Sequence, residues 1–233
     1  MSEAAALPDR SSRTTNGSSA SPSPVDPALE WRAWRQFFRC VITPTLQYRA
    51  RGQEHLPDGP ALLIANHQSF LDPILIGLPL VRPVSFVARD TLFQAPIVGG
   101  VLRRTYAMPI RQESAASSIR VPIQRLKDGF YVGLFPEGAR TEDGRLAPLR
   151  PGFAALLRRA NAPVVPIGIA GAFEAYPRGA AFPRPGRVRV IFGKPVDFTG
   201  LITKGREGEM LATATSVLEE VAAEAADWRA AAT

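Results

Sequence analysis

The sequence predicts a single α/β domain: a largely parallel mixed sheet covered by helices and preceded by an amphipathic helix. Two observations carry this prediction. Short apolar runs alternate with longer stretches of helical period, the pattern that builds sheets from strand–helix–strand units. A chain of 233 residues with 45% hydrophobic side chains can bury one sizeable core, and no composition shift marks a second domain.

Residues 1–25 are rich in Ser, Ala, Pro, Thr and Asn with almost no bulky apolar side chain, so a disordered tail is expected there. This stretch has no basic start followed by an apolar run, so no secretory signal is expected. Residues 26–48 read as a helix: at about 100° per residue, Trp31, Trp34, Phe38, Val41 and Ile42 share one side, while Arg32, Arg35 and Arg39 form a separate stripe. A basic helix with two tryptophans is the pattern of an in-plane membrane anchor, or of a helix packed on the protein's own core. No apolar run reaches the roughly 18 residues that a membrane-spanning helix needs.

Residues 49–233 are expected to form the folded domain. Strands are predicted over 61–65, 84–88, 107–110, 131–135, 164–169 and 187–192, and helices over 73–80, 90–104, 114–128, 152–160 and 207–231. The Pro-rich stretch 177–185 reads as a surface loop. A lone cysteine, Cys40, allows no internal disulfide and fits a reducing compartment; on the helix it reads as a small hydrophobe.

The net charge of +7 favours anionic lipid. Nucleic acid is not an expected partner, because the arginines are scattered and no RNA-binding or helix-turn-helix signature occurs. No metal-ligand spacing and no phosphate-cradling glycine loop is present, so neither a metal nor a nicotinamide cofactor is expected.

Chemistry concentrates in two turns. Asn66-His67-Gln68-Ser69-Phe70-Leu71-Asp72 follows the apolar run at 61–65, and Asp72-Pro73 reads as a helix N-cap and first helical position. On one continuous helix, residues five apart point about 140° away from each other, whereas a turn lets Asp72 fold back onto the imidazole. The segment Phe135-Pro136-Glu137-Gly138-Ala139-Arg140-Thr141 follows the run at 131–135; Gly138 permits a tight turn, and Arg140 offers a fork suited to phosphate oxygens. Arg111 is a second candidate for phosphate. Glu137 is suited either to an acceptor hydroxyl or to positioning Arg140.

These blocks resemble the glycerolphosphate acyltransferase family, best known from the 1-acylglycerol-3-phosphate acyltransferases. The residues at 66–72 are similar to the first family block, 107–111 to the second, 135–141 to the third and 164–168 to the fourth. Two departures occur: Ala139 stands where the family usually has threonine, and the second block lacks its usual aromatic residue. The resemblance implies an acyltransferase domain at 49–233, with His67 as general base and Asp72 as its orienting acid. It implies Arg111, Glu137, Gly138, Arg140 and Pro166 as substrate-binding residues, Pro166 bordering the acyl donor. The co-substrate would be acyl-CoA or acyl carrier protein, with no resident cofactor, and the acceptor a lysophospholipid whose 2-hydroxyl is acylated to give phosphatidic acid. Another lysolipid or glycerol 3-phosphate as acceptor, and a non-catalytic lipid-binding scaffold, are the alternatives. The implied location is the cytoplasmic face of a membrane, peripheral or monotopic.

The chemistry agrees with the resemblance. An alcohol attacking a thioester must lose its proton, and imidazole titrates near neutral pH. A thiol with a pKa of roughly 8.5 leaves as thiolate without an acid catalyst, so no enzyme nucleophile is required, in keeping with the absence of a Gly-Xaa-Ser-Xaa-Gly elbow.

Overall fold

The computed structural model describes residues 29–110 and 115–231, so the predicted tail at 1–25 lies outside the described residues. Its first element is helix α1 (Leu29–Thr45). The domain then runs β1 (Arg49–Arg51), β2 (Ala61–Ala65), α2 (Asp72–Gly77), β3 (Val84–Arg89), α3 (Pro96–Arg104), β4 (Met108–Ile110), α4 (Ala115–Lys127) and β5 (Tyr131–Leu134). It continues through α5 (Gly152–Ala160), β6 (Val164–Ala170), α6 (Ala172–Ala175), β7 (Arg189–Phe192) and α7 (Glu207–Ala230).

The strands form one seven-stranded sheet in the order β1-β7-β6-β2-β5-β3-β4. Every pairing is parallel except β6 with β7. β2 and β6 are buried along their whole length, which is why both read as continuous apolar runs. Their side chains alternate between two cores. Leu63, Ala65, Val165 and Ile167 face the layer that holds α1 and α2, while Leu62, Ile64 and Val164 face α5 and α7. Helix α7 lies close over β6, and a Cβ on Gly168 would come within 2.0 Å of the Val221 carbonyl oxygen.

Strands β2 and β5 are neighbours in register, Ile64 opposite Leu134, yet their following helices α2 and α5 belong to opposite faces. Such a divergence opens a crevice at the carboxyl ends of the strands, where open α/β sheets place ligands. The turns after β2 and β5 meet there.

Helix α1 departs from the predicted facing. Trp31 and Ile42 are buried, and the Trp31 indole Nε1 donates to the Val81 carbonyl at 3.1 Å. Leu29, Phe37 and Val41 point outward instead, as does Cys40. The apolar arc is wider than one contact needs, so its inner half packs on the protein and its outer half stays uncovered by any described residue. Two elements were absent from the prediction, β1 and the four-residue α6. No described helix is long and apolar enough to cross a membrane.

Candidate active site

Where β2 leaves the sheet, the Asn66 carboxamide takes over the ladder. Its Nδ2 donates to the Ile169 carbonyl at 2.9 Å, and its Oδ1 accepts from the Ile169 amide at 2.8 Å. This bond pair holds the start of the turn to the end of β6. Asp72 organises the rest: its Oδ2 accepts from the His67 ring Nδ1 at 2.8 Å and from the backbone amides of Gln68 and Ser69, both at 2.7 Å. Helix α2 begins at Asp72 with Leu71 as its N-cap, so the aspartate caps the preceding turn rather than the helix.

A carboxylate on Nδ1 fixes the imidazole tautomer, leaving Nε2 as the basic nitrogen. Nε2 has no hydrogen-bond partner among the described residues, and the side chain keeps 18% of its surface open while that of Asp72 keeps none. Burial pushes the Asp72 carboxyl above the usual carboxylate range, and the hydrogen bonds from His67, Ser69 and Gln68 oppose that rise. The imidazole lies flat on the Phe135 ring, centroids 3.9 Å apart and planes 13° apart, and Phe135 in turn stacks on Phe86. Gly133 makes the space for this stack, since a Cβ there would meet the Phe86 ring at 2.2 Å.

The turn after β5 grips the His67 peptide from both sides. Glu137 Oε1 accepts from the His67 amide at 2.6 Å, and the Thr141 amide donates to the His67 carbonyl at 2.8 Å. Glu137 Oε2 accepts from the Ala147 amide at 2.8 Å. Glu137 is buried, and burial raises its carboxyl above the usual range against the pull of these amides. With a backbone amide on each oxygen, it ties two turns together instead of reaching for Arg140 or standing free for an acceptor hydroxyl. Gly138 has φ +73°, the left-handed conformation that favours glycine, and its amide closes the turn on the Phe135 carbonyl at 2.9 Å.

Arg140 is half-buried, sits 5.9 Å from the centroid of the exposed Phe70 ring and forms no ion pair with any described residue. Its guanidinium is therefore left beside the turn that carries His67 and Asp72, over Phe70. Pro166 is buried within β6, opposite Ile64 in register, and its carbonyl accepts from the Gly193 amide at 2.8 Å. The structure thus gathers His67, Asp72, Glu137, Gly138 and Arg140 and leaves Pro166 inside the sheet. Arg111 lies outside the described residues. Sequence reasoning missed the clamp by Asn66, Glu137 and Thr141 and the Phe135 platform. Knowledge of the β2–β5 register would have brought Phe135 beside the His67 turn.

A buried carboxylate orienting an imidazole whose second nitrogen is unpartnered among the described residues, on a side chain that keeps 18% of its surface open, is suited to take a proton from a hydroxyl. The family model described as Acyltransferase matches residues 47–170, more than half of the chain, and the chain belongs to that family. Among its relatives is the chloroplastic 1-acyl-sn-glycerol-3-phosphate acyltransferase BAT2 of Brassica napus, 33% identical over 161 residues, covering 66% of this chain and 46% of the relative. The 1-acyl-sn-glycerol-3-phosphate acyltransferase of Bacillus subtilis is 32% identical over 174 residues, covering 72% of this chain and 82% of the relative. The crystal structure of PlsC, the 1-acyl-sn-glycerophosphate (LPA) acyltransferase of Thermotoga maritima, superposes with a TM-score of 0.72 at 27% identity over 83% of this chain and 78% of that one. The chain spans about half the length of the plant relatives and most of the bacterial ones.

Proposed function

We propose that the chain transfers a fatty acyl group from an acyl thioester, acyl-CoA or acyl carrier protein, to the 2-hydroxyl of 1-acylglycerol 3-phosphate. The observation that carries this reading is the 2.8 Å bond from His67 Nδ1 to the fully buried Asp72 carboxylate, with Nε2 left free. The relatives named for that reaction support it.

In the proposed step, His67 Nε2 removes the acceptor's hydroxyl proton as the oxygen attacks the thioester carbonyl carbon. Asp72 stabilises the imidazolium that forms. The C–O bond forms, the C–S bond breaks, and the sulfur departs as a thiolate that the imidazolium can reprotonate. No residue of the chain becomes acylated and no resident metal or redox cofactor takes part. Arg140 holds the acceptor phosphate, where a charge-assisted bidentate contact is stronger than a neutral one. Arg111 is assigned the same role from its motif alone.

A membrane-bound acceptor places the enzyme at a membrane surface, and we assign it to the cytoplasmic face as a peripheral or monotopic protein. Helix α1 supports this: Leu29, Phe37 and Val41 are exposed, and Arg32, Arg35 and Arg39 form no ion pair with a described residue. The neighbouring Arg39 and Arg32 add to burial in lowering the Arg35 pKa, a repulsion that anionic lipid relieves. The test is an assay of purified protein with radiolabelled acyl-CoA and, separately, acyl carrier protein against a panel of lysolipids and glycerol 3-phosphate. Phosphatidic acid is the expected product, and Arg140→Ala should raise KM for the phosphorylated acceptor about 10-fold to 150-fold. Preference for an uncharged lysolipid would overturn the acceptor assignment.

A further inference from the structure

The Pro-rich loop after α6 has no part in the chemistry above, yet its two ends are tied to the two regions that matter most. At its start, the Tyr176 carbonyl accepts from the Ser69 hydroxyl at 2.9 Å, in the turn between His67 and Asp72. At its end, the Gly186 amide donates to the Thr45 carbonyl at 3.2 Å, on the last residue of α1. The loop therefore bridges the catalytic turn and the candidate membrane helix.

Its shape is held rather than loose. The Ala180 amide closes a turn on the Pro177 carbonyl at 3.2 Å, with Gly179 at φ +87°, and the Arg184 amide closes the loop on the Ala175 carbonyl at 2.7 Å. Pro183 and Pro185 restrict the backbone of the segment that follows Phe182. On this rigid frame Phe182 is 80% exposed. Residues 177–187 carry Arg178, Arg184 and Arg187 and no acidic residue. Among the described residues, the acidic contact to this stretch is the exposed pair of Arg178 with Glu142 at 3.4 Å, a pair of little strength in water. Phe70, next to Ser69, is exposed on the same turn that the loop abuts.

We propose that the 177–187 loop is a second bilayer-contact element, in which Phe182 inserts among the acyl chains and Arg178 and Arg184 meet anionic headgroups. This rests on the membrane-surface reading of α1 and extends it. A preorganised aromatic tip flanked by arginines is the pattern that an anionic interface accepts. With α1 on one side and this loop beside the catalytic turn, the crevice opens onto the headgroup layer. A long-chain acceptor then reaches His67 without passing through water.

The test uses the full chain with large unilamellar vesicles of 70:30 phosphatidylcholine and phosphatidylglycerol. Phe182→Ala should weaken co-sedimentation about tenfold, the share of one large apolar side chain. Phe182→Trp should restore it, and the double variant Arg178→Glu with Arg184→Glu should weaken it further. Melting temperature and turnover on a short-chain, water-soluble lysophosphatidate should not change. Wild-type protein that sediments while Phe182→Ala sediments equally well overturns the loop inference and leaves α1 as the anchor. Wild-type protein that never sediments overturns both. If the variants instead raise KM for an acyl carrier protein donor with vesicle binding intact, the loop docks a protein and the bilayer assignment falls. The same holds if they abolish a wild-type dimer.

Discussion

Asp72 directs one oxygen at three donors and leaves the other, Oδ1, without a partner in a fully buried position. Burial raises its carboxyl, so the native chain holds this proton more tightly than the unfolded chain does. From about pH 4, the unfolded carboxylate's range, up through the raised native value, each rise in pH therefore erodes stability. Below that window both states are protonated and the effect vanishes. Asp72→Asn removes the erosion, so its melting temperature relative to wild type should rise as pH climbs from about 4, while its turnover falls. Thermal melts across that range check this, and a flat difference would contradict a raised Asp72. Glu137 makes a separate prediction. Glu137→Gln turns an amide donor toward one of two buried backbone amides, at a cost of about 1–3 kcal/mol. Denaturant unfolding should show that loss together with a lower kcat and an unchanged acceptor KM. A raised acceptor KM with full stability would instead make Glu137 a direct substrate ligand.

At the scale of elements, helix α1 separates two kinds of apolar residue that composition alone treats alike. Trp31 is packed and hydrogen-bonded, so Trp31→Ala should cost about 3–5 kcal/mol of stability. Phe37→Asp with Val41→Asp should leave the melting temperature near wild type and release the protein from anionic vesicles. Release caused by Trp31→Ala in folded protein, with no effect of the outer pair, would reverse the assignment. The period of α1 was legible in the sequence, but its inner seam was not, because the seam is decided by contacts such as Val81 that lie far along the chain. Strands β2 and β6 were legible as unbroken apolar runs. β1 was not: Arg49-Ala50-Arg51 has no apolar pattern and is a strand because β7 offers it an edge. His67 and Asp72 could be read from five residues of local spacing, whereas the grip of Glu137 on the His67 amide spans seventy residues and a parallel register.

For the whole molecule, the sheet brings the turns after β2 and β5 together at the carboxyl ends of these strands, the end of α1 and the 177–187 loop lie near that end, and the chain carries a net charge of +7. Binding to anionic vesicles should therefore weaken steeply between about 0.1 M and 1 M salt, where the screening length falls from roughly 10 Å to 3 Å. Vesicle binding unaffected by salt would assign the contact to apolar insertion alone. The central claim is that His67, oriented by Asp72, is the base of an acyl transfer, and it is tested most directly by the steady-state turnover of His67→Ala with acyl-CoA and 1-acylglycerol 3-phosphate. Loss of a general base predicts a fall in kcat of at least about 100-fold with folding and acceptor binding intact. A His67→Ala enzyme that turns over near the wild-type rate would contradict the account.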